Sequence, residues 1–338
     1  MKLIRKLSLL LNERLPGKRI YYIYTHKNGY DRFNHGLKAN TELSYWPYLA
    51  LKKKFPRVTF LRLQGENPKR IAQITPSDVV IGHFGETYLE ASKRTRKLIS
   101  FCPWNGHEDH STSISPASLS KEVELEFYDK AATVILLTSE FNKKTYFEQP
   151  VNFWHSYFQK KRVTIVHQPI DLSLFSRIKT SYTTSNFLYI GNTNHMKCVP
   201  DSIRLVKSVK RSLHTFGTGG RNINHLDSKQ VAQLPALADF FIQPGMWESQ
   251  CVSILESAAR GFIPIVSPDT GYPYEHPYLL RYGDFNYNHQ IINKLVKTSP
   301  EERKELADHL HLQLSQDINH NNWNQLTDII VKEVDRLY

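Results

Sequence analysis

Two carboxylates eight residues apart are the strongest sign of chemistry in this chain. The segment 244–266 (PGMWESQCVSILESAARGFIPIV) reads as a strand end, a Pro-Gly turn, a helix over 249–260 halted at Gly261, and a strand. Glu248 lies in the turn and Glu256 follows two helical turns later. At such a helix start the backbone N–H groups of Ser249, Gln250 and Cys251 have no partner within the helix. They form an anion site suited to a diphosphate. Two carboxylates beside it suit hydroxyl groups, such as those of a sugar and a ribose. The structural alternative is an amphipathic helix with two exposed glutamates, a common arrangement. The strand-turn-helix-Gly-strand setting raises the segment above that alternative.

Such a site needs a scaffold that presents loops together, and strands alternate with helices almost throughout the chain. Strands are expected at 19–25, 58–63, 78–82, 97–101, 133–138 and 163–167, with helices at 41–54, 86–96 and 118–131. Residues 169–185 are polar and suit a linker. The alternation restarts with strands at 186–191, 212–216, 239–243 and 262–266 and helices at 200–210 and 249–260, and ends in an amphipathic helix over 321–338. Apolar strands alternating with helices imply parallel sheets covered on both faces. The expected fold is therefore α/β with two doubly wound, Rossmann-like domains: 1–168, 169–320, and a C-terminal helix, 321–338, packing back on the first domain. Ligands of such sheets bind beyond the carboxyl ends of the strands. His83, directly after the strand 78–82, and His107, in the polar loop 103–116, are thereby candidates for catalytic contacts. A packing or solvated role is the alternative for each.

The segment 244–266 resembles the Glu-x7-Glu motif of retaining glycosyltransferases of family 4, which have the GT-B fold, two Rossmann-like domains facing across a cleft. Glu248, Glu256, Ala258, Gly261, Pro264 and Val266 stand at matching positions, whereas Ser249-Gln250-Cys251 replaces the small residues usual there. Residues 163–175 resemble the family's interdomain signature Asn-Gly-Val-Asp-x-x-x-Phe through Asp171 and Phe175. Gly191 and Lys197 keep the six-residue spacing of Val-Gly-Arg-x5-Lys, and Gly217 and Gly219 match a Gly-x-Gly. The resemblance implies sugar transfer with retention from a nucleotide diphosphate to an acceptor hydroxyl. Lys197 and the helix start with Ser249, Gln250, Cys251 and Val252 would neutralise the departing diphosphate. Glu256 would hold the ribose hydroxyls, and Glu248 the transferred sugar. Gly191, Asn192, Gly217 and Gly219 would line the nucleotide, with Ile223 and Leu226 beside the base. Asn192 departs from the family's arginine, and Cys102 stands where a histidine is frequent.

No cofactor is expected beyond the nucleotide-diphosphate sugar as co-substrate, UDP or GDP. No metal is expected either, since the chain has no Asp-x-Asp and no clustered carboxylates. The acceptor would be a carbohydrate or glycolipid, in bacterial-type polysaccharide, glycolipid or glycoconjugate synthesis. The formal net charge is +12, and 27 of the 44 basic but only 15 of the 32 acidic residues fall in 1–170. The surplus thus belongs to the expected acceptor half and suits an anionic membrane surface or acidic acceptor. No nucleic-acid motif accompanies it. The aromatic stretch 153–158, followed by Lys160-Lys161-Arg162, fits either a membrane interface or a core helix. Three dispersed cysteines build no disulfide framework, and no apolar run is long enough to span a bilayer. The expected location is cytoplasmic, peripheral on the inner membrane face. Two other functions remain open: a catalytically weakened sugar-nucleotide binder, and a basic protein that binds membrane or nucleic-acid surfaces and merely keeps the fold.

Overall fold

The computed structural model of the chain describes residues 19–24, 45–55, 57–63, 65–82, 85–103, 121–138, 143–144, 148–150, 153–166, 175–191, 197–216, 228–245, 252–317 and 323–338. Its first sheet comprises β1 (Arg19–Tyr24), β2 (Arg57–Arg62), β3 (Val79–Gly82), β4 (Leu98–Pro103), β5 (Thr133–Leu137) and β6 (Val163–Val166). Their spatial order is β2-β1-β3-β4-β5-β6. The second sheet comprises β7 (Phe187–Ile190), β8 (Leu213–Phe216), β9 (Phe240–Gln243) and β10 (Ile263–Val266), in the order β10-β9-β7-β8. Every pairing is parallel.

The period-2 geometry of a strand explains why strands such as β3 and β7 carry apolar residues at successive positions. In β1, Ile20 and Tyr22 enter one core while Tyr21 and Ile23 enter another on the opposite face. In the second sheet Leu188 and Phe241 face one core, and Phe187, Phe240 and Ile242 the other. Covering these faces among the described residues are α1 (Tyr45–Lys54), α2 (Pro68–Ile71), α3 (Glu86–Ser92), α4 (Lys121–Lys130), α5 (Phe153–Phe158), α6 (Val199–Ser208), α7 (Ser228–Leu237), α8 (Val252–Ala259), α9 (Phe285–Leu295), α10 (Pro300–Gln316) and α11 (Trp323–Leu337). No helix among the described residues is long and apolar enough to cross a membrane.

At four places the structure adds to the sequence expectation or departs from it. The helix expected over 86–96 ends at Ser92, because Thr95 is buried and its hydroxyl donates to the Asp78 carbonyl at 2.9 Å, drawing the chain toward β4. Helix α7 was not foreseen, and it carries a proline, Pro235, in its interior. In α5, Trp154 and Phe158 are buried against Tyr128, Val134 and Leu136, so this face of the aromatic stretch is core, and Phe153 remains exposed. The described part of the linker is also no free tether: Phe175, Lys179, Tyr182 and Ser185 are buried.

The last helix returns to the first sheet. Leu326, Ile330 and Val334, spaced four apart, are buried in the core formed by β1, β3, β4 and β5. Glu333 anchors it. Its carboxylate accepts from Arg162 Nη2 at 2.6 Å, Arg162 Nε at 2.9 Å, Arg336 Nε at 2.8 Å and the Thr133 hydroxyl at 2.9 Å. The hydrogen bonds from Arg162, foremost, and from Arg336 and Thr133 hold this carboxyl down at about 2, against the opposing effect of burial. A carboxyl held low in the folded state stabilises it above the unfolded value, and that contribution disappears as pH falls from about 4.5 through about 2. Glu333→Gln is expected to lower stability by about 2 kcal/mol at pH 7, less than for a fully buried pair because both arginines are partly hydrated. Urea unfolding at pH 7 and pH 3 checks this: an undiminished gap at pH 3 would refute it.

Among the described residues of this half, one group of exposed cations gathers at a single edge of the sheet, while Lys69 and Lys144 follow β2 and β5. Lys52, Lys53 and Lys54 precede β2, Arg94 and Arg96 precede β4, and Lys160 and Arg162 precede β6. In a parallel sheet these all gather at the amino ends of the strands, the edge opposite the one that binds ligands.

Candidate active site

Strand order locates the site within the second sheet. The chain passes from β7 out to β8, then crosses back to the other side of β7 to form β9. Such a reversal opens a crevice at the carboxyl ends of the two strands flanking it, here β7 and β9. Gly191 directly follows β7, and the chain re-enters the described residues at Lys197, two residues before α6. Strand β9 runs into the buried Pro244 and Gly245, and the chain re-enters at Val252, the first residue of α8. The segments expected to bind a diphosphate thus leave from the two strands at the switch point. In the first sheet the corresponding reversal lies between β1 and β3, and His83 follows Gly82 at the end of β3.

Of the expected site residues, Gly191, Lys197, Val252 and Glu256 are described. His83, His107, Asn192, Gly217, Gly219, Ile223, Leu226, Glu248, Ser249, Gln250 and Cys251 lie outside the described residues. Lys197 is half-buried ahead of α6. Glu256 is half-buried on α8, and burial pushes its carboxyl up to about 7, opposed by Arg260. Arg260 Nη1 stands 3.8 Å from Glu256 Oε2. At neutral pH this carboxyl lies near its midpoint, able to accept hydrogen bonds when ionised and to donate when protonated.

Helix α8 stops by a Schellman motif: Phe262 N–H donates to the Ser257 carbonyl at 3.0 Å, and Gly261 N–H to the Ala258 carbonyl at 2.9 Å. Gly261 takes φ +95°, and a Cβ there would stand 2.8 Å from the Lys179 carbonyl. The glycine therefore serves two ends, terminating the helix and letting the interdomain segment pass.

Sequence reasoning missed three supporting residues. Ser267, buried after β10, donates its hydroxyl to the Gly245 carbonyl and so fixes the exit of β9. Arg260 was visible only as a filler position before Gly261. Asp239 was visible only as the polar residue starting a strand. Residues 268–275 directly follow β10 and by that position read as a ligand-lining loop; in the structure Thr270 and Tyr272 are buried, and Tyr274 donates its hydroxyl to Asp317 at 3.2 Å. His276, beyond it, is pushed down to about 4 by burial, which keeps it neutral. Among the described residues no group of three or more metal-ligating side chains gathers.

No protein-family profile matches the sequence, and no curated protein matches it. Solved structures do. Sucrose-phosphate synthase from Thermosynechococcus elongatus superposes with a TM-score of 0.66 at 14% identity, over 95% of this chain and 99% of that one. HepE from Anabaena, in complex with UDP and glucose, gives 0.60 at 12% identity over 95% of this chain and 100% of its own. TarM gives 0.57 at 12% identity over 86% of this chain, which spans only 58% of TarM's length. These are GT-B glycosyltransferases, and the two parallel sheets of this chain form the GT-B fold.

Proposed function

We propose that the protein transfers a sugar, with retention and without a metal, from a nucleotide diphosphate to an acceptor hydroxyl of a carbohydrate or glycolipid. One observation carries this: in a GT-B fold, the segments bearing Lys197 and the Glu248–Glu256 pair leave from the two strands at the switch point of the second sheet. On this reading residues 169–320 hold the donor and 1–168 the acceptor, with α11 returning to the acceptor half. The bond between the anomeric carbon and the diphosphate oxygen breaks, and the acceptor oxygen bonds to the same face of that carbon while its proton passes to the departing diphosphate. Negative charge grows on the departing diphosphate, and Lys197 with the N-terminus of α8 stabilises it. Glu256 takes the ribose hydroxyls and Glu248 those of the transferred sugar. UDP-sugars are the first donors to test, since HepE is seen with UDP-glucose.

The test is a thermal-shift screen against UDP-, GDP- and ADP-sugars, followed by donor hydrolysis. At least one nucleotide sugar is expected to raise the melting temperature by several degrees at a hundredfold excess over Kd, equivalent to about 2.7 kcal/mol. If none does, the nucleotide site is wrong. If one binds but is neither hydrolysed nor transferred, the protein is a sugar-nucleotide binder rather than an enzyme.

A further inference from the structure

The proposed ribose-binding carboxylate is tied to the interdomain segment by one side chain. Arg260 caps α8 one helical turn after Glu256, with its guanidinium 3.8 Å from the carboxylate. The centre of the same guanidinium lies 4.7 Å from the ring centroid of Phe175, where the described interdomain segment begins. Its backbone carbonyl accepts from Ile178 N–H at 3.1 Å and Lys179 N–H at 3.0 Å. Next to it, the Gly261 carbonyl accepts from the Tyr182 hydroxyl at 2.6 Å. Arg260 thus touches the carboxylate with its charge, the segment with its face, and the segment's backbone with its carbonyl.

We propose that Arg260 is a positioning residue that aims the Glu256 carboxylate for the ribose, and that couples its placement to Phe175 of the interdomain segment. The inference rests on the donor-site reading above and adds to it a residue whose chemistry is separate from the diphosphate. Burial alone drives the Glu256 carboxyl toward its neutral form, and Arg260 is the charge that opposes this. The effect is mutual, since Glu256 offsets the cost of burying the guanidinium. The neighbouring α10 carries Glu301, Glu302, Arg303, Lys304, Glu305, Asp308, His309 and His311. On α10, Arg303 pairs with Asp239, and Asp308 with Arg177 and Lys304. Strand β10 carries no charged residue, and on α8 itself Glu256 is the sole charged residue. An ionised carboxylate accepts from both hydroxyls of a cis-diol, whereas a protonated one loses part of that capacity. Removing Arg260 therefore weakens ribose binding at neutral pH and spares it at high pH.

The experiment compares wild type with Arg260→Met, which keeps the length and apolar packing against Phe175, and with Arg260→Lys, which keeps the charge. The Glu256 titration is followed by carbon NMR of glutamate-labelled protein, assigned with Glu256→Gln, and UDP binding is measured by calorimetry from pH 6 to 9. In Arg260→Met the Glu256 midpoint is expected to rise by about one pH unit or more. The midpoint for UDP binding should rise with it, so that affinity falls severalfold at pH 7 and recovers by pH 9, while Arg260→Lys stays near wild type. A Glu256 midpoint unmoved in Arg260→Met overturns the proposal, as does a loss of UDP affinity equal at all pH values. If the midpoint moves but wild type binds no UDP at any pH, the donor-site reading has failed and the ribose role falls with it. If Arg260→Met does not fold, the same two titrations on Arg260→Gln decide the matter.

Discussion

Replacing Asp239 by alanine is expected to cost about 3–5 kcal/mol of stability, the range for removing one partner of a buried ion pair. Asp239 is wholly buried at the start of β9, and two cations converge on it: Lys179 Nζ lies 2.7 Å from Oδ1, and Arg303 Nη1 lies 3.0 Å from Oδ2. Ser185 N–H adds a bond to Oδ2 at 2.9 Å and the Thr184 hydroxyl one to Oδ1 at 3.1 Å. Both cations are almost fully buried as well. Further protons go to backbone carbonyls, Lys179 to Pro235 at 2.6 Å and Arg303 to Thr298 at 2.7 Å and to Val296 and Tyr182 at 3.2 Å, and Arg303 Nε donates to the Thr298 hydroxyl at 3.3 Å. Alanine leaves two buried positive charges without the carboxylate that compensates them. Asp239→Asn keeps the shape and part of the hydrogen bonding, so its loss should be smaller. Lys304→Ala, at an exposed pair on α10, should change stability by under about 1 kcal/mol. Urea denaturation of the three variants tests this ranking. A loss below about 1 kcal/mol for Asp239→Ala would show that the network relaxes or hydrates. Because Lys179, Tyr182 and Ser185 belong to the interdomain segment, the same network also sets where that segment leaves the second sheet.

Lys197→Ala is expected to lower kcat/KM for transfer by about 10²–10³-fold, the usual cost of losing one fixed donor to a developing anion. The sequence places this lysine six residues after Gly191, and the structure sets it half-buried just ahead of α6, at the side of the switch point that β7 opens. On the function proposed above, a charge there acts mainly on the leaving diphosphate, whose negative charge is greater in the transition state than in the bound donor. The loss should therefore fall on kcat more than on KM. Lys197→Arg keeps the charge and should recover part of it. Single-turnover transfer with the donor found in the screen supplies the measurement. A Lys197→Ala enzyme with wild-type kcat would remove this lysine from the chemistry, while leaving the GT-B fold untouched.

Much of the framework was legible before any coordinates. Stretches such as 134–137 and 240–242 are short and continuously apolar, and parallel strands covered on both faces demand that pattern. The helix bearing Glu256 was legible for another reason: Gly261 and the strand after it mark its end, and the Schellman motif needs a glycine there. Less was visible where a long-range contact decides the local state. Residues 175–186 read as a polar linker because their polarity is plain, while the carboxylate that draws Lys179 and Ser185 inward lies more than fifty residues away. Tyr272 reads as a loop residue near a ligand, yet it is buried in the core beneath α8 and α10.

Composition and pattern were enough to establish an α/β chain with two sheets, two glutamates eight residues apart and an excess of positive charge in the first half, since each depends on local spacing or simple counting. Strand order, and with it the crevice between β7 and β9, required the tertiary structure, because hydrophobic periodicity does not record which strand lies beside which. Folding also decided that the exposed cations before β2, β4 and β6 share the edge opposite the ligand-binding one. It decided too that Asp239, Lys179 and Arg303 form a single buried network, and that Arg260 reaches both Glu256 and Phe175. The free energy of a charge depends on what surrounds it, and those surroundings are assembled from distant parts of the chain.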